Sequence, residues 1–247
     1  MGAYTQEEHF ATLENTVADA APSPLTAAAS PALTLPQNRL GAVAAELLKR
    51  LFDIAFAAVC LVLAAPVLLA AIVAIRLESP GPAFYRQPRM GRGGRTFQLV
   101  KLRGMYVDAR ERFPELYDYG SAISIDPNRY FFHHADDPRV TRVGRFLRKY
   151  SIDELPNFWN VLRGDMSVVG LCSEIFELAN LYGLHLERFL SVRPGVTSPA
   201  KAMGRDEMPF AETLASDIEY IDSRSFRLDL LTIYRTARTA VVGANVR

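Results

Sequence analysis

Cysteine is almost missing from this chain: Cys60 and Cys172 are the only two in 247 residues. Cys60 lies in an apolar run, so a disulfide framework is excluded as the organising device, and the composition suits a reducing compartment. With four histidines to add, the two cysteines offer no zinc-ligand spacing. Positive charge is missing from residues 1–37. A secretory signal needs a basic start and an apolar core, and neither is present. Gly2 lacks the Ser or Thr at position 6 that myristoylation needs. What stands there instead is Glu7, Glu8, Glu14 and Asp19, then an Ala/Pro/Ser/Thr-rich run from Ala20 to Pro36. It has too little to bury, and residues 1–38 read as a disordered tail. Net charge is also nearly absent, at +1. Bulk attraction to a polyanion is thereby excluded, and no nucleic-acid partner is expected.

Charge is segregated instead, and hydrophobicity with it. Arg39 to Lys49 reads as an approach helix. Ile54 to Ile75 then carries no charge at all. A helix of that length reaches about 30 Å, enough to cross a bilayer core. Pro66 sits in its middle, where proline removes a backbone hydrogen bond and clashes with the preceding turn, so a kink or break is expected. Lys49 and Arg50 precede the run; Arg76, Arg86, Arg89, Arg92 and Arg95 follow it. Positive flanks mark the cytoplasmic side of a membrane segment. A helix broken at Pro66 that enters one leaflet and returns satisfies both flanks, and re-entrant backbone at membrane depth is permitted where the protein covers it. A kinked spanning helix and a buried soluble helix remain open on periodicity alone.

Ser79-Pro80-Gly81-Pro82 stops that helix. Ala83 to Gln87 and Thr96 to Lys101 read as two short strands joined by Gly91-Arg92-Gly93-Gly94, a small antiparallel hairpin whose glycines serve the turn more naturally than a phosphate cradle. From Arg86 to Met105 there are six basic residues and no acid. Such a patch beside a membrane segment suits anionic membrane lipids or a phosphorylated substrate. Lys101 and Arg103, at a strand end, are its best phosphate candidates. Val107 to Tyr119 reads as an amphipathic helix, Gly120 to His134 as polar and irregular with a turn at Asp126-Pro127-Asn128. The adjacent His133 and His134 have no partner spacing for a metal.

The chemistry concentrates between residues 139 and 170. Arg139, Arg142, Arg145 and Arg148 recur every third residue, which stacks them along one helical face. Arginine suits bidentate phosphate contact. This ridge runs into Asp153 and Glu154. Neighbouring side chains on a helix diverge, so the pair can serve two roles, one attacking or moving a proton and the other holding a metal ion. Ser151-Ile152-Asp153-Glu154 also reads as a capping box, with Ser151 as N-cap. The two readings are compatible, because a helix N-terminus keeps a carboxylate ionised. Leu155, Phe158, Trp159 and Leu162 are expected to supply a buried face. Glu177 to Leu190 and Asp217 to Val242 read as further amphipathic helices. Acids fed by an arginine ridge behind a membrane anchor suggest phosphate chemistry at a membrane surface, with Mg²⁺ neutralising phosphate charge.

The stretches KRLFDIAFAAVCLVLAAPVLLAAIVAIRLESPGPAFYRQPRMGRGG, FQLVKLRGM, DPRVTRVGRFLRKYSIDELPNFWNVLRGDMSVVG, RPGVT and DIEYIDSRSFRLDL occur in that order from Lys49 on. Together they resemble the bacterial sugar transferases, monotopic enzymes that move a sugar-1-phosphate onto a polyprenyl phosphate. The resemblance implies an α+β fold: a mostly helical membrane-surface domain with a small β-hairpin, spanning 79–247, on a re-entrant helix within 39–78 broken at Pro66. It implies a UDP-sugar donor, an undecaprenyl phosphate acceptor, UMP release, and a place on the cytoplasmic face of a bacterial inner membrane. Asp153 maps onto the nucleophile that forms a phospho-enzyme, Glu154 onto the Mg²⁺ ligand, Arg148 onto a phosphate-binding arginine and Lys101 onto the lysine of a Lys-Phe-Arg-Ser/Thr-Met motif. Arg103 and Arg145 join the phosphate-binding set. A homodimer or downstream glycosyltransferases are the further partners.

The chain departs from that pattern at three places. Gly-Pro-Arg-Pro has become Gly170-Leu171-Cys172-Ser173, so a phosphate-site arginine is Cys172. Gly104 stands where the lysine motif has Ser or Thr. Gly-Trp-Ala-Gln has become Ser198-Pro199-Ala200-Lys201. Lys201 or Arg205 is the expected substitute for the missing arginine. The rival readings are a non-catalytic relative that binds the lipid or a partner glycosyltransferase, and a small transport or signalling protein with one spanning helix.

Overall fold

A computed structural model of the protein describes residues 39–117, 137–203 and 208–242. The expectations for the N-terminal tail, the 120–134 segment with His133 and His134, and Arg205 lie outside those residues. The chain divides between Ala45 and Glu46, and apart from the first turns of α1 everything below concerns the unit that begins at Glu46.

The approach helix and the apolar run are one element, α1 (Arg39–Glu78), and Pro66 lies inside it without ending it. By the rule for proline, the Val62 carbonyl loses its ordinary donor there. It is the one helix among the described residues long and apolar enough to cross a membrane. Its faces differ. Asp53, Ala57, Ala64, Ala71 and Ile75 are buried, at intervals of four and seven residues that keep them on one stripe. Val59, Val62, Leu63, Leu69, Val73 and Leu77 are exposed on the rest.

The stripe is part of the core on both sides of Pro66. Ahead of it, Ala57 packs with Phe97, Leu99, Phe158 and Val161. Behind it, Ala71 and Ile75 pack with Ala83, Leu102 and Leu147. Polar contacts fasten both ends. The buried Asp53 carboxylate accepts the Ser167 hydroxyl at 2.8 Å and the Val168 amide at 3.1 Å. Lys49 bonds Asp229 at 2.8 Å, and Asp229 also accepts from Tyr220. Arg50 donates to the Val161 and Leu162 carbonyls. The Glu78 carboxylate accepts the Arg142 and Val143 amides. Leaving such a buried donor unpaired costs about 1–3 kcal/mol.

The hairpin is present: β1 (Phe84–Met90) pairs antiparallel with β2 (Thr96–Leu102), Tyr85 opposite Lys101. Beyond β2, Thr141 donates to the Gly104 carbonyl and Tyr106 to that of Arg139. The backbones at Gly104 and Gly144 approach so closely that a Cβ on Gly144 would overlap the Gly104 carbonyl. That contact seats α3 (Arg142–Lys149) against the end of β2. A 3₁₀ turn (Ile152–Glu154) leads to α4 (Asn157–Arg163), which ends at Gly164 in the left-handed region. The Asn160 side chain accepts from Val100 and donates to Gln98, closing the free edge of β2. A second sheet, unforeseen in the sequence, pairs β3 (Ser167–Val169) in parallel with β4 (Gly195–Thr197). Gly170 and Gly195 permit it, since a Cβ on either would strike the other segment's backbone.

Several helix expectations are corrected. Val107–Tyr119 is split: α2 (Ala109–Arg112) stops at Phe113 because Pro114 follows, and a 3₁₀ turn (Pro114–Tyr117) succeeds it. Phe176–His185 is 3₁₀, interrupted at Gly183, before the short α5 (Leu186–Phe189). After α6 (Pro199–Ala202), the final helix is two, α7 (Phe210–Ser223) and α8 (Phe226–Val242). Arg224 is extended there, and Ser225 accepts from Leu228 as a new cap. Trp159 is 53 % exposed, not buried, because Phe158 and Val161 turn the other side of α4 to the core.

Candidate active site

Asp153 and Glu154 occupy the 3₁₀ turn between α3 and α4, and they have different surroundings. The capping box is not formed. Ser151 is in the left-handed region, at φ 54°, with no side-chain cap, and α4 begins only at Asn157. Glu154 instead turns to two lysines. Its Oε1 accepts from Lys101 Nζ on β2 at 2.9 Å, and its Oε2 from Lys201 Nζ on α6. Burial alone would raise the Glu154 pKa, but the two ammonium groups outweigh it and hold the carboxyl far below the usual carboxylate range. Lys201 answers in kind: burial lowers its pKa, Glu154 more than restores it, and the net shift is upward. Lys201 is aimed by its own element. Ser198, fully buried, caps α6 by accepting the Lys201 amide, and Lys201 Nζ also reaches the Val196 carbonyl at 3.3 Å.

Asp153 is 9 % exposed, and nothing among the described residues hydrogen-bonds its carboxylate. Its charge is felt by Lys101, Arg148 and Lys201. Burial is the largest influence and pushes its pKa up, Lys101 opposes that, and Glu154 adds to it. The helix terminus is therefore not what governs these acids: the two lysines govern Glu154, and burial governs Asp153. An unbonded carboxylate faced by three cations has the geometry of a nucleophile or a ligand awaiting a partner.

The arginine ridge is only partly assembled. α3 starts at Arg142, so Arg139 lies before it and is held by Asp137 in a bidentate pair. Arg142 and Arg145 are exposed. Arg148 is half-buried, acts on Asp153, and places its Nε 3.4 Å from where a Gly104 Cβ would stand. The glycine at 104 thus leaves the guanidinium room. Arg103 is in a different place from that expected. It is buried, and its guanidinium donates to the Ser79 carbonyl and hydroxyl and to Pro80, closing the turn after α1. Cys172 is buried beside the site, its sulfur 3.6 Å from the Ser198 hydroxyl, and it is among the groups acting on Lys201.

Among the described residues no group of three or more His, Cys, Asp or Glu side chains could enclose a metal. A Mg²⁺ of the kind that rides on phosphates needs only one or two protein carboxylates. Asp153 and Glu154 are the two adjacent carboxylates at this point, and a metal here would compete with the lysines on Glu154.

Asp53, Glu78 and Asn160 were passed over in reading the sequence, although all three position the site. Lone polar residues at helix spacing give no signal without their partners. Asp53 does interrupt an otherwise apolar stretch, which is the one mark it leaves.

The chain matches the family model described as bacterial sugar transferase over residues 44–243. A Caulobacter vibrioides protein named UDP-glucose:undecaprenyl-phosphate glucose-1-phosphate transferase is 40 % identical over 222 residues, covering 86 % of this chain and 77 % of that protein. Galactosyl transferase CpsE of Streptococcus agalactiae is 36 % identical, covering 81 % of this chain and 43 % of its own length. Exopolysaccharide production protein ExoY of Sinorhizobium fredii is 34 % identical, covering 76 % of this chain and 83 % of its own. The chain therefore spans less than half of the Streptococcus protein but most of the other two.

Lys201→Gln tests the cation count around the acids. One charge-assisted contact is worth about 1.5–3 kcal/mol, so titration calorimetry with a UDP-sugar is expected to show binding weakened by about 10- to 100-fold. Cys172→Arg added to Lys201→Gln recovers part of that loss, and Cys172→Arg alone gains nothing. Undiminished binding in Lys201→Gln would mean that its ammonium serves only Glu154.

Proposed function

The chain belongs to the bacterial sugar transferase family, and we propose that it transfers a sugar-1-phosphate from a UDP-sugar to undecaprenyl phosphate and releases UMP. It is a phosphoglycosyl transferase, and the activity starts a polysaccharide or glycoconjugate on its lipid carrier. The observation that carries the reading is the unequal treatment of the two acids. Glu154 is neutralised by two lysines, while Asp153 is left unbonded among cations.

In the first step an Asp153 carboxylate oxygen attacks the β-phosphorus of the UDP-sugar. The bond from that phosphorus to the bridging oxygen breaks, and UMP leaves with the oxygen. The sugar phosphate is then an acyl phosphate on Asp153. In the second step an oxygen of undecaprenyl phosphate attacks the same phosphorus, forming the lipid diphosphate sugar and freeing the carboxylate. Splitting one displacement into two lets a single carboxylate serve both. Lys101, Arg148 and Lys201 offset charge on the transferring phosphoryl group, and exposed Arg145 extends the cationic approach. Arg103 serves the turn that joins α1 to the hairpin. In this reading Glu154 would hold a Mg²⁺, which would supply neutralisation of the diphosphate charge.

The packing of α1 supports a membrane arrangement as well. Its core stripe continues from Asp53 to Ile75, so a straight spanning helix would draw the hairpin and α3 into the bilayer core. Unpaired backbone and charge are costly there. We read α1 as monotopic, entering and leaving one leaflet with a bend at Pro66 and its exposed apolar face in lipid. The catalytic domain then lies on the cytoplasmic side of a bacterial inner membrane. The exposed Leu47 and Leu77 mark the two ends. In sealed inverted vesicles, cysteines placed at both positions are expected to react with a membrane-impermeant maleimide. Labelling at one end alone would make α1 a spanning helix.

The reaction is tested with a panel of UDP-sugars, undecaprenyl phosphate and Mg²⁺ in detergent. UMP release is expected with one sugar, and Asp153→Asn should reduce it by about 10³-fold or more. No release with any sugar, from folded protein, would favour a relative that binds the lipid without acting on it. Retention of Lys101, Arg148 and both acids around one point speaks against that second reading.

A further inference from the structure

Lys201 stands on α6, an element of only four residues. A single turn of helix has little stability of its own, so what holds α6 decides where the ammonium points. Three restraints act at its start. Ser198 caps it. β4 leads into it and has one strand neighbour, β3, joined where the Gly170 amide donates to the Thr197 carbonyl at 3.0 Å. The third restraint comes from far along the chain. The hydroxyl of Thr197, the last residue of β4, is hydrogen-bonded at 2.6 Å to the hydroxyl of Thr236 on α8. Thr197 is buried, so its hydroxyl would be costly to leave unpaired.

α8 is fixed at its other end too. Asp229 lies seven residues before Thr236, two turns along the same face and about 10 Å away. It accepts from Lys49 on α1 at 2.8 Å and from the Tyr220 phenol on α7 at 2.7 Å. Thr232, between them on that stripe, is buried as well. One face of α8 thus bonds the membrane helix at Asp229 and the strand leading to Lys201 at Thr236. From Thr197 the path to the acids is short. Lys201 Nζ donates back to the Val196 carbonyl at 3.3 Å and forward to Glu154, so the ammonium is referenced directly to the end of β4. Among the described residues the Thr236 hydroxyl bonds Thr197 and neither the acids nor Lys201. We propose that Thr236 is a positioning residue of the active site: through Thr197 it holds β4 and α6 where the Lys201 ammonium meets Glu154. Lys101, the other cation on Glu154, arrives on β2, to which Thr236 makes no bond. The catalytic consequence rests on the transferase reading given above; the place of the ammonium does not.

The chain has four lysines, Lys49, Lys101, Lys149 and Lys201. Full-length protein in detergent is treated with trace acetic anhydride, and the acetylation rate at each lysine is read by mass spectrometry of its peptides. Only a free amine reacts, and the pairing with Glu154 keeps Lys201 protonated. Thr236→Val, which removes the hydroxyl and keeps the shape, is expected to raise the Lys201 rate about tenfold, the change that one pKa unit carries. Exposed Lys149 is the reference, and Lys101 should stay unchanged. Thr197→Val, from the other side of the same bond, should match it, and Thr236→Ser should keep Lys201 protected. General loosening would raise Lys101 and Lys201 together. That result overturns the proposal, as does an unchanged Lys201 rate in both valine variants. UMP release adds a second readout. Thr236→Val is expected to lower kcat/KM for the UDP-sugar about tenfold in otherwise unaltered protein, and no further in Lys201→Gln. An equal loss in both backgrounds would make Thr236 merely structural and also overturn the proposal. If no UDP-sugar releases UMP, the transferase reading fails while the acetylation rates still decide what holds Lys201.

Discussion

The buried carboxylate of Asp53 is the constraint on which the remaining architecture hangs. It puts a charge on the membrane helix at a place lipid cannot solvate, and the backbone amide of Val168 and hydroxyl of Ser167 satisfy it. That interaction makes α1 a core element as well as an anchor. Once Asp53 sits on β3, the small side chains of Ala57, Ala64 and Ala71 bring the helix close to the domain along the same stripe. Glu78 then receives the first amides of α3 at the far end. The membrane helix thus fixes the start of the helix that carries Arg148.

From there the site is assembled from four directions. α3 delivers Arg148, β2 delivers Lys101, α6 delivers Lys201, and the 3₁₀ turn delivers the two acids. Opposite charges hold these segments together, at the cost of desolvating them. Glu154 absorbs two ammonium groups, so Asp153 remains available. In the proposed reaction the same lysines would turn from Glu154 to the incoming diphosphate, and until then Glu154 keeps them ordered.

The hairpin, the apolar helix and the acid pair were all legible in the sequence. Each is local: alternation and a Gly-rich turn for β1 and β2, an uncharged run for α1, adjacency for Asp153 and Glu154. The parts that were not legible depend on distant partners. The β3–β4 pair is two three-residue strands held by the close approach of Gly170 and Gly195, and no periodicity announces strands so short. The capping-box pattern at Ser151 misled because Lys101 and Lys201 compete for Glu154 more strongly than a backbone amide does. Arg103 looked like a phosphate ligand because sequence shows charge and not direction; its guanidinium closes the Ser79–Pro80 turn. Lys201, by contrast, was traceable as a departure from the family pattern, and its place on Glu154 makes that departure part of the site.

The most direct test of the account is the mass of the intact protein after mixing with a UDP-sugar and Mg²⁺ in the absence of any lipid acceptor. Covalent attachment through Asp153 predicts an added sugar phosphate that maps to the peptide containing residues 151–154, disappears when undecaprenyl phosphate is supplied, and never forms in Asp153→Asn. Steady UMP release and lipid-linked product without any such adduct, under conditions that trap acyl phosphates, would contradict it and make the reaction a single direct displacement.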